Sequence, residues 1–221
     1  MIRINKYEII DPNTLLNKKH FDLFNTYDDP TYSLNVTVDI TAFYHYVRAN
    51  NLPMYISLIY LINNSLNKIK EFRYRYIDGE LRLYEYVDPA FTIMTDVGAY
   101  DNCDDVLIHQ DFKTFVKEAT RDIDALRDGS GLSRPQQDTR IDQIYYSSIP
   151  WISYNAVTQV MHNNKFAYIP RIVWDKFKIT DDKVTTNLTM QVHHAIIDAY
   201  PLSKAYLQVQ EDLNKPEISL Q

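Results

Sequence analysis

The residues best equipped for chemistry lie near the C-terminus, in Met190-Gln191-Val192-His193-His194-Ala195-Ile196-Ile197-Asp198-Ala199-Tyr200. Imidazole is the side chain whose ordinary pKa best suits removal of a proton near neutrality, which makes His194 a candidate general base. The spacing alone fits equally well a histidine pair that only hydrogen-bonds at a strand end, because H-H-x-x-x-D is a short pattern. No second carboxylate-rich cluster accompanies the pair, so a metal is not expected. Ser147 and Ser148 precede Ile149-Pro150-Trp151, and a serine hydroxyl can donate to an oxyanion. Most strand serines do nothing chemical, and by themselves these two read as structural. Cys103 sits among Asp101, Asn102, Asp104 and Asp105, neighbours that raise a thiol pKa rather than activate it. His20, His45, His109 and His162 stand singly and read as structural or exposed.

The pattern around each candidate indicates what holds it. Leu188, Met190 and Val192 alternate with Asn187, Thr189 and Gln191, the period of a half-buried strand. Pro201 suits the first turn of a helix and keeps Tyr200 out of the helical region, so His194 and Asp198 belong to a strand-to-helix turn. Upstream, strands are expected at 7–10, 32–38 and 91–95, and at 72–77 and 81–87 around Asp78-Gly79, a strong hairpin signal. Asp39 can cap a helix bearing Ile40, Phe43 and Val47. A second helix over 54–69 is apolar nearly all round in its first half, hence buried. Helical spacing runs over 106–126. The polar stretch 127–142, with Gly129, Gly131 and Pro135, reads as a surface loop. Strands follow at 143–154, 169–179 and 184–192, the last two as a hairpin, and a closing helix carries Leu202, Ala205, Tyr206, Val209 and Leu213. Many strands with a few long helices indicate an α+β fold, helices packed on one side of a mixed sheet.

Composition bounds the function. The 221 residues suit one large domain, 1–221, with a real core. Four glycines argue against flexible linkers and Gly-rich phosphate loops, and eighteen tyrosines suit interfaces and clefts as well as cores. A net charge of −6 gives no support for nucleic acid or an anionic membrane as partner. Arg73 and Arg75, alternating with Tyr74 and Tyr76, suggest a stacking surface for single-stranded nucleic acid, a poor prospect in an acidic chain. One cysteine excludes an internal disulfide. The start of the chain lacks a signal-peptide core, and the longest apolar run is too short to span a bilayer. The chain reads as soluble and cytoplasmic.

The sequence resembles the chloramphenicol acetyltransferase family, collinearly over nearly its whole length. The signs, in order, are Lys19-His20-Phe21 with Phe24, Thr31-Tyr32-Ser33, Val38-Asp39-Ile40-Thr41, Glu71-Phe72-Arg73 with Asp78-Gly79-Glu80-Leu81, Phe91-Thr92, Asp111-Phe112, Ser147 with Pro150-Trp151, and Gln191-Val192-His193-His194-Ala195 with Asp198. The resemblance implies a two-layer α/β sandwich, the CoA-dependent acyltransferase fold, assembled as a homotrimer with active sites at subunit interfaces. It implies acetyl transfer from acetyl-CoA, as co-substrate, to a hydroxyl of a small molecule such as chloramphenicol, with no metal and no acyl-enzyme. His194 matches the general base, Ser147 the oxyanion donor and Asp198 a structural carboxylate holding the active-site loop. Trp151 and Lys176 match positions near the coenzyme, and Phe24 and Thr92 match parts of the acceptor pocket. That pocket and the histidine are expected from different chains.

The chain departs from the family pattern at four places. Ala199 stands where the family has glycine, which leaves a positive-φ turn poorly served. Asn17 replaces the arginine that pairs with the aspartate, with Lys18 or Lys19 as substitutes. Val173 replaces a threonine near the oxyanion, and Gly98-Ala99-Tyr100-Asp101 replaces Thr-Glu-Thr-Phe on the acceptor side. These bear on the acceptor more than on acyl transfer. The rival readings are an acetyltransferase for another alcohol and a catalytically silent binding relative. A dihydrolipoyl acyltransferase core shares the histidine motif, but the chain has no lipoyl domain or Ala/Pro-rich linker.

Overall fold

The computed structural model describes residues 5–108, 111–133, 140–161 and 165–221. Its strands are β1 (Tyr7–Ile10), β2 (Thr31–Asp39), β3 (Tyr74–Ile77), β4 (Glu80–Tyr84), β5 (Asp88–Met94), β6 (Tyr100–Cys103), β7 (Gln143–Ile149), β8 (Arg171–Asp175), β9 (Lys178–Thr180) and β10 (Lys183–His193). The helices are α1 (Lys18–Phe24), α2 (Thr41–Ala49), α3 (Met54–Asn67), α4 (Phe112–Leu126), α5 (Ala199–Leu213) and α6 (Pro216–Ser219). The main sheet runs β2-β10-β8-β7-β5-β6, with β9 pairing the start of β10, and a small sheet runs β1-β4-β3. Within the main sheet β5, β7 and β8 are mutually parallel and the other pairings antiparallel. This is the α+β class read from the sequence, with a mixed sheet.

The pleat decides what each face of the sheet carries. Leu188 pairs with Trp174 and Trp174 with Ser148, while Thr189 pairs with Val173 and Val173 with Ser147. Opposed residues share a face. Leu188, Met190, Val192, Ile172, Trp174, Ile144, Tyr146, Phe91 and Ile93 therefore join the core with α3 and α5 residues such as Ile59, Ile62, Leu202, Ala205 and Val209. The Tyr206 hydroxyl fastens α5 to the sheet, donating to the Leu34 carbonyl at 2.7 Å and accepting from the Met190 N–H at 3.0 Å. The opposite face carries Thr31, Ser33 and Asn35 of β2, Thr189 and Gln191 of β10, Ser147 of β7 and Thr92 of β5.

Several sequence-based expectations change. The helix expected over 106–126 begins at Phe112, because Asp111 caps it by accepting from the Thr114 N–H at 3.0 Å. Val106 and Ile108 are buried ahead of it, outside the helix. β6, Tyr-Asp-Asn-Cys, has no apolar alternation and was not expected. Strand β7 ends at Ile149, before Pro150. The 127–142 stretch is not all surface loop. Arg140 pairs inside the protein with Asp88 and Asp142, at 2.5 and 3.0 Å; residues 134–139 lie outside the description. Strand β10 is buried on both faces rather than one. Arg75, read as a surface stacking residue, is 1% exposed and, among the described residues, bonds main-chain carbonyls, those of Ile141, Phe72, Tyr74 and Gln143. Asp78 and Gly79 have φ of 53° and 82°, the positive pair a two-residue hairpin turn requires.

Candidate active site

β10 delivers the histidines. It pairs with β2 as far as His193 opposite Thr31, after which the chain turns and the Asp198 carboxylate caps α5 by accepting from the Tyr200 N–H at 3.0 Å. The two groups thus sit in a strand-to-helix turn. Ala199 is the first residue of α5 and lies outside the positive-φ set. The strain expected from alanine at this position is absent, since no glycine geometry is needed. Among the described residues Asp198 makes no ion pair; Lys18, expected with Lys19 as a substitute cation, pairs with Asp22 instead.

His193 and His194 play different parts. His193 is buried, its ring stacked on Tyr168 at 4.0 Å and 9°. Its Nδ1 accepts from the Ala195 N–H at 3.2 Å, which closes the turn. Burial, and then the neighbouring His194, push its pKa down to about 4, against an opposing pull from Asp29. It stays neutral and structural. The His194 main-chain N–H donates to the Pro30 carbonyl at 2.8 Å. The His194 ring lies against Phe24, 4.1 Å between centroids and 10° between planes, with Tyr32 on it at 4.5 Å. The buried Nδ1 of His194 and the Tyr32 hydroxyl have no hydrogen-bond partner among the described residues. Burial, and then Asp198, push the Tyr32 phenol up to about 12. A cavity of about 580 Å³ runs between β2, β10 and residues 156–161, bounded by Asp29, Tyr32, Gln159 and Gln191; Tyr32 lines it, but His194 and Phe24 do not. Tyr32 was named in the sequence only within Thr31-Tyr32-Ser33 and given no place in the site, because nothing there signals that β2 begins beside a motif some 160 residues away.

The serine lies elsewhere. Ser147 and Thr92 hydroxyls meet at 3.0 Å on the polar sheet face, and the Tyr55 hydroxyl donates to the Thr92 carbonyl at 2.8 Å. Ser148 opposes Trp174 and so points to the helical side; Ser147 is the hydroxyl on the polar face. Trp151, 64% exposed, and exposed Lys176 follow the parallel strands β7 and β8 at their C-terminal ends, joined where the Lys176 N–H donates to the Ile152 carbonyl at 3.1 Å. Val173 is buried and lies between Ser147 and Thr189 across the sheet. Cys103 is buried, its thiol pushed up to about 12 by burial first and then by the nearby aspartates, so it is no nucleophile. His20 and His45 are exposed; His109 and His162 lie outside the described residues. Among the described residues no group of three or more His, Cys, Asp or Glu is arranged to hold a metal.

The register measures how far apart these halves are. Ser147 is level with Thr189, two strands away, and His194 comes five residues after Thr189. At the usual strand rise and spacing, His194 and Ser147 of one chain are about 15–20 Å apart. One chain therefore cannot apply both to one reacting carbonyl. The expected acceptor-pocket residues divide the same way: Thr92 sits with Ser147, but Phe24 sits on the histidine of its own chain.

The family model described as chloramphenicol acetyltransferase matches residues 5–210. The chain belongs to the chloramphenicol acetyltransferase family. A chloramphenicol acetyltransferase of Proteus mirabilis is 28% identical over 92% of this chain and 93% of its own length. A solved chloramphenicol acetyltransferase structure superposes with a TM-score of 0.82 at 24% identity, covering 94% of this chain and all of that one. The cubic core of the pyruvate dehydrogenase multienzyme complex superposes at 0.68 with 15% identity, over 93% and 90%. Both superpositions show that the fold is shared with these two structures. The family membership makes this chain an acetyltransferase of the chloramphenicol acetyltransferase type.

Proposed function

We propose that the chain, as one acyltransferase domain, moves an acetyl group from acetyl-CoA to a hydroxyl of chloramphenicol or a similar small molecule. The site forms between copies of the chain in a cytoplasmic homotrimer. The observation that carries this reading is the strand register, which separates His194 from Ser147 of the same chain by about 15–20 Å. A neighbouring copy turned about a symmetry axis brings the histidine end of one sheet to the serine of the next.

In such a site His194 takes the acceptor's hydroxyl proton as that oxygen attacks the thioester carbonyl carbon. A thioester is already activated, so a base, a positioned acceptor and an oxyanion donor suffice. The Ser147 hydroxyl donates to the developing oxyanion, and Thr92 holds that hydroxyl in place. Collapse breaks the carbon–sulfur bond, and the departing thiolate takes the proton back from the imidazolium. Phe24 and Tyr32 confine the ring, while the Asp198 cap fixes the turn behind it. Lys176 and Lys178, exposed cations in an acidic chain, suit a coenzyme bearing phosphates, and Trp151 offers a face for a base.

A second acceptor class is favoured by one feature. The β5–β6 hairpin presents exposed Met94, Val97 and Tyr100 where the acceptor side is expected, a wall suited to another aromatic alcohol. Release of free CoA thiol with chloramphenicol, lost in His194→Ala, supports the first acceptor; release only with other alcohols supports the second. No release with any acceptor from a folded, CoA-bound trimer would leave a silent binding protein. The shared site is tested by co-expressing His194→Ala with Ser147→Ala. Every mixed trimer then holds one intact site, and random assembly returns about a quarter of native activity. No recovery above either parent would sink the shared site.

A further inference from the structure

Asp175 ends β8, one residue before Lys176, and its side chain is fully buried. The nearest cation is Lys178, whose Nζ stays 3.9 Å away. Instead, four donors meet the carboxylate. The Thr186 hydroxyl and the Asn187 N–H reach Oδ1 at 2.9 and 2.8 Å. The Asn187 amide and the Tyr154 N–H reach Oδ2 at 2.9 and 3.2 Å. Asn187 also donates to the Tyr154 carbonyl at 2.7 Å, so both main-chain groups of Tyr154 are held by side chains from the sheet. Beyond it, Asn35 donates to the Asn155 carbonyl at 2.6 Å and Gln191 accepts from the Gln159 N–H at 2.7 Å. An irregular stretch thus crosses the polar face with its backbone satisfied by side chains. Trp151 and Ile152 lie immediately upstream, tied to Lys176 through the Ile152 carbonyl.

We propose that Asp175 is a positioning residue for the coenzyme, holding the turn that presents Trp151 and the adjoining Lys176 in one fixed arrangement. This rests on the reading of Trp151 and Lys176 as the coenzyme edge of the site. A carboxylate is the side chain that accepts from four directions and donates in none. Asparagine in its place turns an NH₂ either towards the Tyr154 N–H and the Asn187 side-chain amide, or towards the Asn187 main-chain N–H and the Thr186 hydroxyl; in both cases an N–H meets an N–H and the clasp on the 151–154 turn weakens. The consequence falls on coenzyme affinity, because neither His194 nor the Ser147–Thr92 pair bonds to Asp175 or to the turn it holds.

Calorimetric titration of the intact protein with CoA, alongside steady-state kinetics with acetyl-CoA and chloramphenicol, tests this. Asp175→Asn is expected to weaken CoA about tenfold, leaving the chloramphenicol KM and the kcat at saturating acetyl-CoA within about twofold. In a Trp151→Ala background the same change is expected to add less than about twofold, because Asp175 acts through that platform. A second variant, Asn187→Ser, removes the clasp on the Tyr154 carbonyl and is expected to weaken CoA in the same direction. Native CoA affinity in Asp175→Asn, full additivity with Trp151→Ala, or equal loss for both substrates would overturn the proposal. Should Asp175→Asn not fold, unchanged CoA affinity in Asn187→Ser overturns it. A native chain that binds no CoA defeats the acetyltransferase reading and this proposal together; native binding with both variants unaffected defeats this one alone.

Discussion

Phe24 lies flat on His194, their ring centroids 4.1 Å apart and the planes within 10° of parallel. The end of α1 therefore sets the attitude of the imidazole proposed as the base. Aromatic pairs of this kind contribute about 0.5–1.5 kcal/mol beyond burial, and that part of the ring's restraint is lost in Phe24→Ala. The expected result is a fall in kcat of roughly two- to tenfold, restored by Phe24→Tyr, which keeps the stacked ring. Steady-state kinetics of the two variants check this; an unchanged kcat in Phe24→Ala would show that Tyr32 and the backbone suffice.

Ser147→Ala removes the hydroxyl that Thr92 holds at 3.0 Å. Losing one oxyanion donor is expected to lower kcat by about 10²–10³, with little change in either KM. Ser148→Ala is expected to leave kcat nearly untouched, because Ser148 shares the Trp174 side of β8. Equal losses in the two variants would remove Ser147 from its assigned place.

Those parities explain how much of the site was legible in advance. The alternation before His193 located the strand, and Pro201 marked the first turn of a helix, so the turn bearing His194 and Asp198 followed from local chemistry; Tyr200, expected outside the helix, is instead its second residue, because Asp198 caps it at Ala199. Asp78-Gly79 did the same for its hairpin. What local chemistry could not supply was partnership across the chain. Nothing in Thr31-Tyr32-Ser33 shows that β2 pairs with β10 and brings Tyr32 onto the histidine. Polar Asn187, Thr189 and Gln191 looked like a solvent face, yet they are buried because side chains of the sheet hold the 154–159 backbone. Strand β6 and the buried Arg140 were missed for the same reason: pairing, not composition, decides their place.

Ala199 separates the sequence-based expectation from the structure. Were glycine geometry needed after Asp198, Ala199→Gly would restore a relaxed turn and raise activity. As the first residue of α5, Ala199 is instead better than glycine there. Ala199→Gly is expected to lower stability by a few tenths to about 1 kcal/mol and to leave kcat unchanged. Chemical denaturation beside the standard assay checks it, and a gain in kcat would show that the turn is strained after all.

His193 makes stability depend on pH in a definite direction. Its pKa is about 4 in the folded protein and 6.5 in the unfolded chain, so between these values the unfolded state binds more protons. Stability is then fully present above about pH 6.5 and falls as pH drops towards 4, by at most about 3 kcal/mol from this group. A proton on Nδ1 would also displace the bond from the Ala195 N–H. In His193→Asn the amide oxygen can accept that N–H but cannot titrate. The variant loses the stack on Tyr168 and is expected to be less stable at pH 7, yet with a shallower decline between pH 6.5 and 4. Urea midpoints measured across that range for both proteins isolate the difference, since the carboxylates titrate in each; parallel curves would mean that the buried ring does not govern the acid response.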